Sequence, residues 1–162
     1  MKHNFLKQLK KLRVSKETNI LLALSGGVDS MVLMHLLYTL GFKFSVVHCN
    51  FCLRGSESDS DAAYIKKVVG EKKIQLFSKR FNTLQHAENK KISIQMAARE
   101  LRYDWFRLLQ DKYKFRFIAT AHHYDDSVET LLINLIRGTG IAGLHGIQPI
   151  DTDIIRPLLS FY

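Results

Sequence analysis

Two short runs in this chain of 162 residues carry side chains that could do chemistry together. The first is Ser25-Gly26-Gly27-Val28-Asp29-Ser30, preceded by the apolar run Ile20-Leu21-Leu22-Ala23-Leu24 and followed by Met31-Val32-Leu33-Met34-His35-Leu36-Leu37. These types predict strand, tight loop and helix, with the helix stopping at Gly41. The loop then sits at a helix N-terminus. Unpaired N–H groups and the positive dipole end attract an anion there, and glycine lets backbone approach it closely. Ser25 and Ser30 add hydroxyl donors, whereas the Asp29 carboxylate suits a phosphate site only if a cation accompanies it. The chemistry is that of a nucleotide phosphate bound with a metal ion. A plain turn with serine capping would use the same residue types. The loop has neither the lysine of the P-loop nor the glycine spacing of the dinucleotide fingerprint.

The second run is Thr120-Ala121-His122-His123-Tyr124-Asp125-Asp126-Ser127-Val128-Glu129-Thr130. It joins a strand's carboxyl end to a helix's first turn. Asp126 and Glu129 are three apart, and Asp125 and Glu129 four apart, so these carboxylates share a helix face within reach of one cationic group. Dipole capping accounts for the aspartates alone. It leaves unexplained both histidines beside Glu129 and the glycine-rich run 138–146.

The elements that must position these runs follow from periodicity. Phe5, Leu6, Leu9 and Leu12 give a short basic amphipathic helix. Phe44–His48 reads as a second strand, followed by a polar loop to Gly55 and a helix in which Ser56 is the N-cap and Asp59 the N3 residue. Ile74–Ser78 is the third strand, and residues 81–91, lacking a clean period, read as loop with room for a helical turn. Ser93 caps a long helix whose stripe is Ile94, Ala97, Ala98, Leu101, Trp105, Leu108 and Leu109. Phe117–Ala121 is the fourth strand, Asp125–Arg137 a helix ended by Gly138, and Ile154–Arg156 a short last strand. Strands alternating with helices predict an α/β fold: a Rossmann-like three-layer sandwich with a mostly parallel five-stranded sheet. Ligands in such sheets bind outside the strands' carboxyl ends. The loops after Leu24, His48, Ala121 and Ile155 therefore surround one crevice.

The length suits one domain with a full core. No stretch approaches a membrane span, and the N-terminus has no signal-peptide block, so a soluble cytoplasmic chain with no membrane partner is expected. Two cysteines are too few for a disulfide framework. A net charge of +9 attracts polyanions such as nucleic acid, although a lysine-rich solvated surface has the same composition.

The loop Ser25 to Ser30 resembles the Ser-Gly-Gly-x-Asp-Ser pyrophosphate loop of the PP-loop ATP pyrophosphatases. Ala-His-His-x-Asp-Asp-x-x-Glu-Thr-Leu-Leu, followed by Arg137-Gly138-Thr139-Gly140 and Gly143-Leu144, is similar to the signature of the tRNA(Ile)-lysidine synthetase family within that group. His48-Cys49-Asn50 with Leu53-Arg54-Gly55 and Ser58, the run Gln95 to Tyr103, and Arg156-Pro157-Leu158-Leu159 agree with it. The resemblance implies an adenine nucleotide alpha hydrolase-like fold, with residues 1–162 a PP-loop catalytic domain from the N-terminal part of a longer protein whose tRNA-binding domains are absent. It implies ATP and Mg²⁺ as cofactors, and L-lysine and tRNA(Ile) with a CAU anticodon as partners. The reaction implied is adenylation of the C2 oxygen of the wobble cytidine, then displacement of AMP by the lysine ε-amine. A homodimer is left open.

Carried over by position, Ser25, Gly26, Gly27, Val28, Asp29 and Ser30 would hold the ATP phosphates, with Asp29 on Mg²⁺. Asp126 and Glu129 would bind the lysine ammonium groups. His122 would serve proton transfer or phosphate contact, and Arg99 and Arg156 would contact phosphate or the adenylated intermediate; Arg102 could replace Arg99. Two departures stand out. Phe51 occupies a position that is usually His in this family. Cys49-x-x-Cys52 could suggest a metal or redox pair, but no partner ligands accompany it. The related tRNA cytidine thiolation enzymes carry cluster cysteines where this chain has Gln95-Met96-Ala97-Ala98 and Leu158-Leu159.

Overall fold

The computed structural model describes residues 1–139 and 146–161. A single sheet runs in the order β3-β2-β1-β4-β6-β5, formed by β1 (Ile20–Ala23), β2 (Phe44–Asn50), β3 (Leu76–Arg80), β4 (Phe117–Ala119), β5 (Ile150–Asp151) and β6 (Ile154–Ile155). Every pairing is parallel except β5 with β6. The sheet thus has six strands, not the expected five. The additional one, β5, is two residues long and exists as the antiparallel partner of β6, so it leaves no periodic trace in the sequence.

Alternation along the central strands supplies both faces of the core. Ile20, Leu22 and Val46 pack with Phe5 and Leu9 of α1 (Lys2–Lys11), Leu33 and Leu37 of α2 (Val28–Thr39), and Ile65 and Val69 of α3 (Ser56–Glu71). Leu21, Val47 and Ile118 face the other way, onto Phe106 and Leu109 of α5 (Ile94–Tyr113). Strand order reverses between β1 and β4, because β1 connects to β2 on one side while β4 continues the sheet on the other. Such a switch point leaves a crevice at the carboxyl ends. Among the described residues, no helix is long and apolar enough to cross a membrane.

Several boundaries differ from those the sequence predicts, each for a local reason. β3 starts at Leu76 rather than Ile74, because Ile74 packs against the core before the ladder begins. α3 is entered through Gly55 at φ 54°, without a side-chain cap. Ser56 is therefore not the cap, Ser58 Oγ accepts from the Arg54 N–H at 3.2 Å, and Asp59 is drawn instead to Asn50 at 2.9 Å. Residues Thr83–Lys90 form a helix, α4, which Asn82 starts by accepting from the Gln85 N–H and Lys91 stops in the left-handed conformation. Ser93 caps α5 as expected, through the Met96 N–H. On α5, Ile94 and Leu108 are exposed, and Phe106 takes the buried place that the stripe assigned to Leu108. The final helix, α6 (Tyr124–Ile136), buries none of its side chains fully. The expected motif residues from Gly140 to Leu144 lie outside the described residues.

Candidate active site

The phosphate-type loop forms because β1 ends against a helix start. Leu24 still donates its N–H to the Val47 carbonyl at 2.9 Å. The chain then turns through Gly26 at φ 94°, a conformation costly for any residue with a Cβ. Gly27 begins α2 without a side-chain cap. The first intrahelical bond runs from the Met31 N–H to the Gly27 carbonyl at 3.1 Å. The N–H groups of Val28, Asp29 and Ser30 thus have no helical acceptor and point to an anion site. A closed ring of bonds holds the loop: Gly27 N–H to Ser25 Oγ at 3.3 Å, Ser25 hydroxyl to Ser30 Oγ at 3.2 Å, and Ser30 hydroxyl to the Gly27 carbonyl at 2.8 Å. Both hydroxyl protons are engaged inside the ring. What the loop offers outward is backbone N–H groups and the exposed Asp29 carboxylate.

The β4 end supplies the facing wall. Thr120 is buried and its N–H donates to the Ile155 carbonyl at 3.0 Å, continuing the ladder one residue past β4. Its hydroxyl lies 2.9 Å from His122 Nδ1. The His123 N–H donates to Asp126 Oδ2 at 2.8 Å, which closes the first turn of α6. The His123 ring sits between two carboxylates, with Nε2 3.6 Å from Asp29 Oδ2 and Nδ1 3.7 Å from Asp126 Oδ2.

Between these walls lies a cavity of about 290 Å³. Ser25, Gly27, Asp29 and Ser30 line one side, and Thr120, His122 and Asp126 the other. Ala23, Val47 and Phe106 form an apolar floor, and Cys49 of β2, Phe51 just after it, and Arg102 and Tyr103 of α5 add to the lining. One polar wall, one anion-binding loop and an apolar floor suit a nucleotide.

Positive charge surrounds the inner histidine. Burial depresses the His122 pKa below its ordinary value, and Arg156 adds to this; Asp126 opposes it, and Arg102 and Arg99 push the same way as Arg156. His122 is therefore neutral near pH 7 and can accept a proton. Arg156 is buried, donates from Nη1 to the Gln148 carbonyl at 2.6 Å, and leaves Nε without a partner among the described residues. Arg102 lies in the lining, with its guanidinium 5.2 Å from the Phe51 ring centre. Cys49 is the reverse case: burial pushes its thiol up to about 12, against the lowering effect of Arg102 and Lys79.

The structure brings together six of the predicted residues around one space: Ser25, Gly27, Asp29, Ser30, His122 and Asp126. Gly26 and Val28 shape the loop outside the lining. Glu129 is exposed one turn further along α6, also outside the lining. Arg99, resting on the Tyr103 ring at 4.9 Å, and Arg156 both lie outside the cavity lining, and Arg102 occupies the inner position. Sequence reasoning missed the bridging place of His123, which only the approach of β1 and β4 creates. It also missed Thr120 and Phe106 as lining residues.

A cation fits beside Asp29, although no described group of three or more His, Cys, Asp or Glu could cage a metal. Mg²⁺ characteristically takes one or two carboxylates and completes its shell with phosphate and water. Cys49 and Cys52 are free thiols.

The profile of a family described as a PP-loop domain matches residues 1–162. The chain belongs to the PP-loop family. Within it, the chain is 51% identical over 143 residues to a tRNA(Ile)-lysidine synthase of Bacteroides thetaiotaomicron, covering 88% of this chain and 34% of that one. A tRNA(Ile)-lysidine synthase of Parabacteroides distasonis is 44% identical over 160 residues, 98% of this chain and 36% of its own. This PP-loop chain thus spans about a third of the length of those relatives. In fold it is similar to a U34-tRNA thiolase from Methanococcus maripaludis, with TM-score 0.73 at 21% identity over 97% of this chain and 57% of that one. It is also similar to an NH3-dependent NAD synthetase from Campylobacter jejuni, with TM-score 0.62 at 14% identity over 99% of this chain and 66% of that one.

Proposed function

We propose that this PP-loop domain is the ATP-handling part of a tRNA(Ile)-lysidine synthetase, a cytoplasmic ligase that uses ATP, Mg²⁺, L-lysine and tRNA(Ile) with a CAU anticodon. The observation that carries the reading is the cavity shared by an anion-binding loop and an acidic helix start, in a chain 51% identical over 143 residues to a tRNA(Ile)-lysidine synthase.

In this reading the N–H groups at the start of α2 hold the ATP phosphates, and Asp29 would hold Mg²⁺, which supplies charge neutralisation at the phosphates when bound. The C2 oxygen of the wobble cytidine attacks the α-phosphorus, the bond to the β-phosphate oxygen breaks, and pyrophosphate leaves. The lysine ε-amine then attacks C2, the C2–O bond breaks, and AMP leaves. Asp126 and Glu129 bind the ammonium groups of lysine. Neutral His122 takes the proton released as the C–N bond forms. Arg156, whose buried Nε lacks a partner among the described residues, and Arg102 offset the negative charge of the transferred group.

The test is pyrophosphate release from ATP by the full-length protein, with and without lysine and unmodified tRNA(Ile). Release that requires tRNA(Ile), with lysine needed for repeated turnover, supports the reading. ATP bound without turnover under all conditions favours a nucleotide-binding module.

A further inference from the structure

β2 carries a histidine that the proposed chemistry leaves unused. His48 is 4% exposed, and its Nδ1 lies 2.9 Å from the carbonyl of Leu24. A carbonyl only accepts, so Nδ1 carries a proton. Its Nε2 is buried and has no hydrogen-bond partner among the described residues. The imidazole is thus committed in one direction, toward Leu24.

Leu24 is where the sheet hands the chain to the phosphate-type loop. Its N–H is fixed to the Val47 carbonyl, as in the ladder, but β1 ends at Ala23 and the next residue, Ser25, belongs to the ring of loop bonds. Leu24 is 2% exposed, so its carbonyl cannot turn to water once it leaves the ladder. An unmet buried carbonyl costs enough to pull the strand end out of line. The ring that joins Ser25, Gly27 and Ser30 is internally closed, so its bonds shape the loop but do not fix it relative to the sheet. The His48 bond does fix it, from a strand next to β1.

We infer that His48 is a positioning residue: its Nδ1–H, donated to the Leu24 carbonyl, sets the height and tilt of the Ser25 to Ser30 loop over the end of the sheet. That the loop receives nucleotide phosphate rests on the function proposed above; the tether itself does not. An error of a fraction of an ångström in the loop moves every N–H at the start of α2 together, so the residue acts on ATP without touching it.

Substitutions separate donor from bulk. The Asn amide nitrogen falls near the place of imidazole Nδ1, whereas the Gln amide nitrogen falls near Nε2, and Leu fills space without donating. Hydrogen exchange of the Leu24 and Gly27 amides in the unliganded full-length protein reads the tether directly. ATP affinity in Mg²⁺ buffer reads its consequence. We expect H48N to stay within about threefold of wild type in both, and H48Q and H48L to exchange faster and bind ATP more weakly by about tenfold or more, the scale of one lost buried hydrogen bond. Nitrogen NMR of the wild-type protein should find His48 in the Nδ1–H form. An Nε2–H form, or H48Q and H48N behaving alike, overturns the inference. If H48L does not fold, the H48N and H48Q pair still decides it. Failure of wild type to bind ATP contradicts the nucleotide reading, while the exchange rates and the tautomer still decide the tether.

Discussion

His123 Nε2 lies 3.6 Å from Asp29 Oδ2, across the gap where β4 and β1 run side by side and their connections diverge. The same ring lies 3.7 Å from Asp126 on its other edge. One imidazole therefore spans the carboxylate proposed for the metal and the carboxylate proposed for lysine. Two runs almost a hundred residues apart in sequence become one polar surface.

The two carboxylate groups should separate by substrate. Asp29→Ala is expected to lower ATP turnover by about a hundredfold or more, since it removes the charge proposed to hold a cation beside the phosphates. Glu129→Ala is expected to raise the lysine KM by about tenfold and leave ATP affinity unchanged, as the loss of one charge-assisted bond would. Steady-state kinetics with each substrate varied in turn checks this. Equal losses of ATP affinity in both variants contradict the division of roles.

Acid should unload the site through His122. Its folded pKa lies below the ordinary 6.5, first because the ring is buried and then because Arg156 is close. In the window beneath 6.5 the unfolded chain binds the proton and the folded chain does not. The His122 contribution to stability is thus complete above that window and is lost as pH falls through it. The acid limb of the pH–rate profile should move to higher pH in Arg156→Gln and stay in place in Arg156→Lys. Urea melts from pH 7 to 5 should show a smaller acid loss for His122→Gln than for wild type.

The residues that announced the site in sequence are those whose chemistry is local. Gly26 and Gly27 between an apolar strand and a helix already mark an anion loop, because the turn and the free N–H groups belong to one continuous segment. Asp126 is legible for the same reason, lying in the first turn of the helix that follows the strand. Arg102 and Phe106 were not distinguishable from Arg99 and Leu108, because periodicity fixes which helix face is buried but not which residue on it meets the strand ends. The strand β5 and the helix α4 escaped for opposite causes. The first depends on a partner strand, and the second on Asn82 and Lys91 as end signals around a segment with little apolar stripe.

Cys49 should behave as an inert lining residue. With its thiol pushed up to about 12 by burial, it stays protonated at pH 8 and resists alkylation by iodoacetamide in the folded protein, then reacts after unfolding. Mass spectrometry of the alkylated peptides reads this. Rapid native alkylation of Cys49, or loss of pyrophosphate release in Cys49→Ala beyond about twofold, contradicts a passive role.

The paired glycines should fail differently. Gly26 has φ 94°, so Gly26→Ala is expected to cost about 1–3 kcal/mol of stability through backbone strain. Gly27 has an extended backbone, and a Cβ there would meet Ser25 Oγ at 3.5 Å, an ordinary contact. Gly27→Ala should leave stability within about 0.5 kcal/mol and weaken ATP binding instead, by obstructing phosphate approach. Thermal melts beside ATP titrations distinguish the two.

The most direct measurement of the central claim is pyrophosphate release from ATP by the full-length protein, followed with lysine and unmodified tRNA(Ile) each present or omitted. Turnover is expected with both, and at least a tenfold fall without tRNA, whose C2 oxygen is the proposed attacking atom. Lysine covalently attached to the tRNA at the wobble position is also expected. Pyrophosphate release that is indifferent to tRNA, or sulfur in place of lysine on the modified base, would contradict that claim.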